Sequence, residues 1–309
     1  MKKNKILMSL LLVILITGCA TTNSEAAAEP QVITTQEEST QTPTVTSIPP
    51  TPTTVPTNTP DYTPTPDMRM LPEEWKKWPV IPHVSGTTID IFRRGQELGR
   101  NPNAFSKIGD CQNIKEAFMG FFDRQNVYLS EGQQHLQETI DNFRGYFNRD
   151  GFAVEGGLNA PSSLNPLMSD PSACQPEENP LMCEVRNNNP AYAFVSFELW
   201  YKGRSAQNYE EYLRQVVEYL IGEGVIPILI TKADNTEGDD SINYTIAKIA
   251  YEYDIPLVNW WYTAHTLPHN GMDPERNDGF HISPTSWTER SYDAIETLDL
   301  IWRTTRDLP

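Results

Sequence analysis

Two short segments of this sequence have the residue types and spacing needed for nucleophilic chemistry. Cys111 follows Gly109-Asp110 directly, and far downstream Asp278 lies three residues before His281. A carboxylate at that spacing can orient an imidazole, which leaves the second ring nitrogen to act as a base. A thiol beside such a base can become a thiolate–imidazolium pair, which is a competent nucleophile near neutral pH.

The four cysteines have different expected uses. Cys174 and Cys183 flank a Pro-rich loop and are nine positions apart, so a local disulfide is expected in an oxidising compartment. Closing that loop would stabilise the fold by roughly 2–3 kcal/mol in the chain-entropy model. Cys19 belongs to an export signal, which leaves Cys111 as an unpaired thiol. Such a thiol is either buried and inert or reactive.

The N-terminus has the order of features found in bacterial lipoprotein signals. Three lysines at positions 2, 3 and 5 precede an apolar run at residues 6–16, which is too short to span a bilayer. Ile16-Thr17-Gly18-Cys19 follows and resembles the bacterial lipobox. We therefore expect residues 1–19 to be a signal peptide with lipobox and Cys19 to carry the lipid. The predicted location is the outer side of the cytoplasmic membrane, with the lipid anchor as the membrane partner.

Composition separates a tether from a folded domain and excludes some classes of function. Residues 20–67 are rich in Thr and Pro and lack apolar periodicity, so they are predicted to be a disordered linker. Residues 68–309 form the predicted domain. With 24 Lys and Arg against 41 Asp and Glu, the net charge is −17. That charge repels phosphate backbones, so no nucleic-acid partner is expected.

Strand-like and helix-like segments alternate through the domain. Apolar runs of strand length occur at residues 104–108, 193–197, 225–230 and 255–259. Helical spacing of apolar residues occurs at 136–147, 208–224, 241–253 and 286–302, with Asn208 as the expected N-cap of the second of these. This alternation predicts an α/β fold with a parallel sheet.

Taken together, the Gly-Asp-Cys turn after the first strand and the Asp-x-x-His segment before the last helix resemble the SGNH/GDSL hydrolase superfamily. The resemblance implies a flavodoxin-like, three-layer α/β/α fold with a central parallel sheet. It also implies that Cys111 is the nucleophile, His281 the general base and Asp278 the residue that orients the base. Neither cofactor nor metal is expected, because no grouping of His, Cys and carboxylates has convincing metal-ligand spacing.

The sequence departs from the superfamily pattern at two places. Cys111 replaces the superfamily's Ser, which favours acyl chemistry on activated or thioester substrates without forbidding ester hydrolysis. The third block, Gly-x-Asn-Asp, is replaced by Glu198-Leu199-Trp200-Tyr201, so that Trp200 stands where the oxyanion-binding Asn belongs. A lost oxyanion donor costs about 10²–10³ in rate. Backbone N–H groups at Cys111 and Gly157 are the remaining candidates for oxyanion donors.

The residues that replace the third block suggest a binding role. Glu198 and Trp200 are expected at the carboxyl end of a strand, and Trp260 at the end of another. Exposed aromatic rings beside a carboxylate suit stacking on carbohydrate and hydrogen bonding to its hydroxyls. The alternative is that these tryptophans belong to the core or pack under a lid.

Three functions follow from these features. The first is an extracytoplasmic hydrolase that acts through Cys111, His281 and Asp278 on ester-linked acyl groups, with cell-surface glycoconjugates as the expected substrates. The second is a carbohydrate-binding lipoprotein of the same fold without turnover, which would use Glu198 and Trp200. The third is acyl transfer, since a thiolate readily forms thioesters.

Overall fold

The computed structural model describes residues 67–198, 200 and 203–308. The predicted signal peptide, the lipidation site Cys19 and the tether up to residue 66 lie outside that part of the chain. Among the residues that are described, no helix is both long enough and apolar enough to cross a membrane.

Four parallel strands form the central sheet in the order β1-β2-β3-β4. They are β1 (Asn101–Gly109), β2 (Pro190–Ser196), β3 (Ile226–Ile230) and β4 (Leu257–Val258). Every residue of the last three strands is buried, as in parallel sheets that are covered on both faces. The ladder aligns Gly109 with Ser196, so the chain leaves β1 and β2 side by side at the same edge of the sheet.

A fifth position of the sheet is present as one parallel bridge. Val154 pairs with Gly109 on the side of β1 away from β2, and the N–H of Gly109 donates to the carbonyl of Ala153 at 2.9 Å. Counting this segment as the second element gives the order 2-1-3-4-5, which is that of flavodoxin-like folds. The second strand of that order is a single bridge in this protein, and the sequence analysis did not predict it.

Eight α-helices connect and cover the strands in the described residues. They are α1 (Gly86–Glu97), α2 (Leu136–Asn142), α3 (Ala160–Ser163), α4 (Pro180–Asn188), α5 (Ala206–Gly222), α6 (Ser241–Glu252), α7 (Trp260–Ala264) and α8 (Pro284–Thr305). α5 packs against α6, and α2 packs against α8, so that helices cover both sides of the sheet. The predicted three-layer α/β/α architecture is confirmed.

Local boundaries differ from the predicted ones for identifiable reasons. The N-cap of α5 is Ser205, whose hydroxyl accepts a hydrogen bond from the N–H of Asn208 at 3.2 Å, so Asn208 lies inside the helix. The predicted helix over 136–147 ends at Asn142, and Gly145 follows with φ at +92°. The apolar spacing still identified the buried face, because Phe143 and Phe147 are completely buried beyond the end of α2.

The predicted disulfide is present. Cys174 and Cys183 are joined with an S–S distance of 2.06 Å, and Cys183 is buried within α4. Of the described cysteines, Cys111 is the one that remains a free thiol.

Candidate active site

The turn after β1 places Cys111 at the carboxyl edge of the sheet. Gly109 has φ at +154°, and a Cβ there would lie 1.9 Å from the carbonyl oxygen of Ser196, so only glycine fits this close approach of two strands. Asp110 then caps a 3₁₀ turn that begins with Cys111, accepting a hydrogen bond from the N–H of Gln112 at 2.9 Å. The Gly-Asp-Cys segment is therefore fixed by backbone geometry.

The Asp278–His281 loop is closed by its own aspartate. One carboxylate oxygen of Asp278 accepts hydrogen bonds from the N–H groups of Phe280 and His281 at 3.2 and 3.1 Å. The other oxygen lies 2.7 Å from Nδ1 of His281. Burial opposes ionisation of Asp278, but the backbone hydrogen bonds from His281 and Phe280 and the ring contact outweigh it and lower the pKa of Asp278. An ionised Asp278 accepts from Nδ1–H, which leaves Nε2 as the acceptor.

The two segments meet at the sulfur atom. Sγ of Cys111 lies 3.5 Å from Nε2 of His281, although the two residues are 170 positions apart. Cys111 is half-buried. The structure thus brings Cys111, His281 and Asp278 into one chain of contacts in the order thiol, imidazole, carboxylate.

The thiol is not ionised in this arrangement. Burial, followed by the negative charges of Asp110 and Glu198, raises the pKa of Cys111 to about 11. At neutral pH this raised pKa favours the protonated thiol over the thiolate–imidazolium pair. Nucleophilic attack would require His281 to take the proton while the sulfur forms its new bond.

Alkylation with iodoacetamide measures this raised pKa directly, because the thiolate is the reacting species. We expect the rate at Cys111 to rise with pH through about 11. In Glu198→Gln one of the negative charges that oppose ionisation is removed, so the pKa of Cys111 should fall. Glu97→Gln, an exposed position on α1, is the matched control and should leave the profile unchanged. If the rate in the wild-type protein no longer increases with pH above pH 7, the pKa of Cys111 is not raised.

Two glycines, Gly156 and Gly157, follow the bridge at Val154. A Cβ added at Gly156 would lie 4.0 Å from Cβ of Cys111, so Gly156 is close to the nucleophile turn. Gly157 is exposed with φ at +88°. Within the described part of the chain, the N–H of Gly157 donates to no protein acceptor. The prediction that Gly157 is a backbone oxyanion donor is compatible with this placement and stays a prediction.

The three predicted carbohydrate-binding residues are not at the surface. Trp200 is 6% exposed, stacks edge-on against Tyr209 and donates its indole N–H to the carbonyl of Arg204 at 3.2 Å. Trp260 and Glu198 are 0% and 1% exposed. The substrate-binding assignment of all three is wrong, because none of these side chains presents a face or a polar atom to a ligand. For Trp200 and Trp260, core packing is the correct alternative.

A buried ion pair lies next to the nucleophile turn, and the sequence analysis did not predict it. Arg290 of α8 lies 3.3 Å from Oε1 of Glu198, and both side chains are fully buried. The guanidinium also donates to the carbonyl of Gln112 at 2.7 Å and to the Ser196 hydroxyl at 2.8 Å. Burial, opposed by Arg290, raises the pKa of Glu198 to about 8. The sequence did carry a signal for the burial of Arg290, though not for its partner, since Arg290 shares the apolar face of α8 with Ala294 at helical spacing.

No candidate metal centre is found in the described residues. There, no three His, Cys, Asp or Glu side chains lie close enough to share an ion.

The sequence matches no family model and no curated protein. Among solved structures, TesA is similar at 16% identity and a TM-score of 0.42, over 64% of this chain and 99% of that one. A structure described as a putative lipolytic protein of the G-D-S-L family from Desulfitobacterium hafniense is similar at 13% identity and a TM-score of 0.41, over 63% of this chain and 99% of that one. A GDSL-like lipase from Bacteroides thetaiotaomicron is similar at 14% identity and a TM-score of 0.38, over 69% of this chain and 98% of that one. The last two carry the GDSL name. These values describe similarity of fold, and we draw the chemistry from the site's own side chains.

Proposed function

We propose that this protein hydrolyses ester-linked acyl groups, with Cys111 as nucleophile, His281 as general base and Asp278 as the residue that orients the base. The observation that carries the proposal is the continuous contact from Sγ through the imidazole to the carboxylate, at 3.5 and 2.7 Å. A thiol, a base and an orienting group at hydrogen-bond distances are the minimum set for covalent acyl transfer.

The proposed reaction has two stages. Nε2 of His281 takes the thiol proton while sulfur bonds to the ester carbonyl carbon, and Asp278 stabilises the imidazolium that forms. The carbon–oxygen bond then breaks, the imidazolium gives its proton to the departing alkoxide, and an acyl thioester on Cys111 remains. His281 next deprotonates a water that attacks the thioester. The acid is released and the thiol is restored.

Turnover is expected to be slow. At the position that the resemblance gives to the side-chain oxyanion donor, the indole N–H of Trp200 already donates to the carbonyl of Arg204. Backbone N–H groups of Cys111 and Gly157 are the proposed remaining donors, and a missing donor costs about 10²–10³ in rate. The protonated thiol adds to the barrier, since proton transfer must accompany attack.

A groove on the described part of the protein supports glycoconjugates as the substrate class. It has a volume of about 650 Å³ and lies between the 116–133 segment and the first turns of α8. Phe121, Tyr128 and Trp287 supply aromatic surface, and Glu116 and Arg124 supply polar groups. Sugars require such a mixture of rings and hydrogen-bonding groups, whereas a long acyl chain requires an apolar wall.

Trapping the thioester tests the proposal. We expect p-nitrophenyl acetate to leave an acetyl group on Cys111, detectable by mass spectrometry of the intact protein after rapid acid quench. The same protein should release p-nitrophenol beyond one equivalent. Preblocking with iodoacetamide is the control, and it should abolish both signals. Release of p-nitrophenol that survives blocking of Cys111 would overturn the assignment of the nucleophile.

The alternative function is a glycan-binding protein without turnover. The two residues proposed to bind the glycan, Glu198 and Trp200, are buried. The raised pKa of Cys111 favours low reactivity, but it leaves the contact between thiol and imidazole intact. Hydrolysis is therefore the function we propose.

We also propose attachment to the outer side of the cytoplasmic membrane through a lipid on Cys19. Its support is the order of basic residues, apolar run and lipobox in residues 1–19, which lie outside the described part of the chain. Expressed in a bacterium with a lipoprotein-processing pathway, the wild-type protein should fractionate with membranes and incorporate labelled palmitate. Cys19→Ala should lose the label, whereas Cys111→Ala should keep it. Labelling that persists in Cys19→Ala would contradict the proposed anchor.

A further inference from the structure

We infer that Gln112 is a positioning residue that holds the imidazole of His281 against the thiol of Cys111. This inference rests on the proposed function. The side-chain amide of Gln112 reaches the residues on both sides of His281. Its Nε2 donates to the carbonyl of Phe280 at 2.7 Å, and its Oε1 accepts from the N–H of Ile282 at a longer 3.5 Å. Because Gln112 is the residue after Cys111, one side chain links the nucleophile turn to the base.

The amide is itself held rigidly. Gln112 is 1% exposed, its N–H donates to Asp110 at 2.9 Å, and its carbonyl accepts from Arg290 at 2.7 Å. All four of its polar groups are therefore in hydrogen bonds. A buried amide with every group satisfied is fixed in position, as a side chain must be if it is to orient another group.

The loop that carries His281 has supports of its own. Asp278 closes the loop, and the carbonyl of His281 accepts a hydrogen bond from the N–H of Asp273 at 2.9 Å. Removing the Gln112 amide should therefore leave the loop folded. What it should change is the separation of Sγ from Nε2, now 3.5 Å. A displacement of about 1 Å at reacting groups can cost on the order of 10²-fold in rate.

Gln112→Met tests this, because methionine has similar length and volume but cannot form the two hydrogen bonds. We expect kcat for p-nitrophenyl acetate to fall on the order of 10²-fold with KM nearly unchanged. Asn259→Leu is the matched control: its buried amide donates to the carbonyls of Trp75 and Trp78 and touches neither catalytic segment. This control should keep kcat. An equal loss of kcat in both variants would show a general effect of destabilisation and overturn the inference.

A double-mutant cycle gives a second readout that does not need turnover. The rate of iodoacetamide alkylation at Cys111 is measured at pH 7, where attack by the protonated thiol requires His281 to take its proton, in the wild-type protein, Gln112→Met, His281→Ala and the double variant. If Gln112 acts through His281, Gln112→Met should slow alkylation in the wild-type background and have no effect in His281→Ala. An equal effect in both backgrounds, or none in either, would overturn the inference. A wild-type protein without esterase activity would instead refute the proposed function, while the alkylation cycle still decides the role of Gln112.

Discussion

Replacing Cys111 or His281 by alanine should reduce kcat/KM for p-nitrophenyl acetate by at least about 10³-fold, to the level of the uncatalysed reaction. Cys111→Ala removes the atom that forms the covalent bond. His281→Ala leaves a thiol whose pKa of about 11 keeps it protonated at neutral pH. The double variant should be no worse than either single variant, because the two residues act as one unit. Initial rates of p-nitrophenol release measure all three.

Two further variants test whether the carboxylate that contacts His281 is required for activity. Asp278→Asn should lose on the order of 10³–10⁴-fold, since the amide no longer fixes the imidazole in the tautomer with an accepting Nε2. His135→Ala is the matched control, because His135 also contacts a carboxylate, that of Glu296, at 3.1 Å. It should keep wild-type activity. Activity that survives in both His281→Ala and Asp278→Asn would mean that the contact geometry has no catalytic role.

The segments that bear Cys111 and His281 could be found from the sequence because local chemistry defines them. A strand followed by Gly109 and Asp110 leaves the backbone few choices, and Asp278 closes its own loop through hydrogen bonds within three residues. What joins the two segments is long-range. The Sγ–Nε2 contact of 3.5 Å follows from strand order, and that order was supplied by the resemblance to a known fold.

Burial of the tryptophans could not be predicted from their positions. The end of a strand is a usual place for ligand-binding side chains, but the direction of each side chain depends on what packs above it. Tyr209 of α5 covers Trp200, and Trp260 starts a helix whose first residue faces inward. The burial of the charged residue Glu198 could not be predicted from its position either. Its partner, Arg290, is 92 positions away, so no local pattern reveals the pair.

The fold was easier to predict than its irregular parts. Runs such as residues 226–230 are apolar on both faces, as in parallel strands that are covered on both sides. The second position of the sheet was missed, because a single bridge at Val154 has no strand-length pattern. β4 has only two residues, Leu257 and Val258, although the apolar run around it is longer.

At pH 9, where the Glu198 carboxyl is ionised in the wild-type protein, Arg290→Met should destabilise the protein by about 3–5 kcal/mol, since removing one partner of a buried ion pair leaves the other charge uncompensated. Glu198 would lose its cation, and the carbonyl of Gln112 and the hydroxyl of Ser196 would lose a donor. Urea denaturation measures the change. Arg93→Met is the matched control, because Arg93 pairs with Asp90 on the exposed surface of α1 and should cost about 1 kcal/mol or less.

The pH dependence distinguishes loss of the ion pair from loss of packing. Arg290 lowers the pKa of Glu198 against the effect of burial, which raises it to about 8. In Arg290→Met this pKa should rise further, so the carboxyl stays protonated at pH 6 and the loss of stability is smaller there than at pH 9. Glu198→Leu combined with Arg290→Met should recover part of the loss at pH 9, since no charge remains buried. A loss that is identical at both pH values would show that Arg290 contributes packing and neutral hydrogen bonds alone.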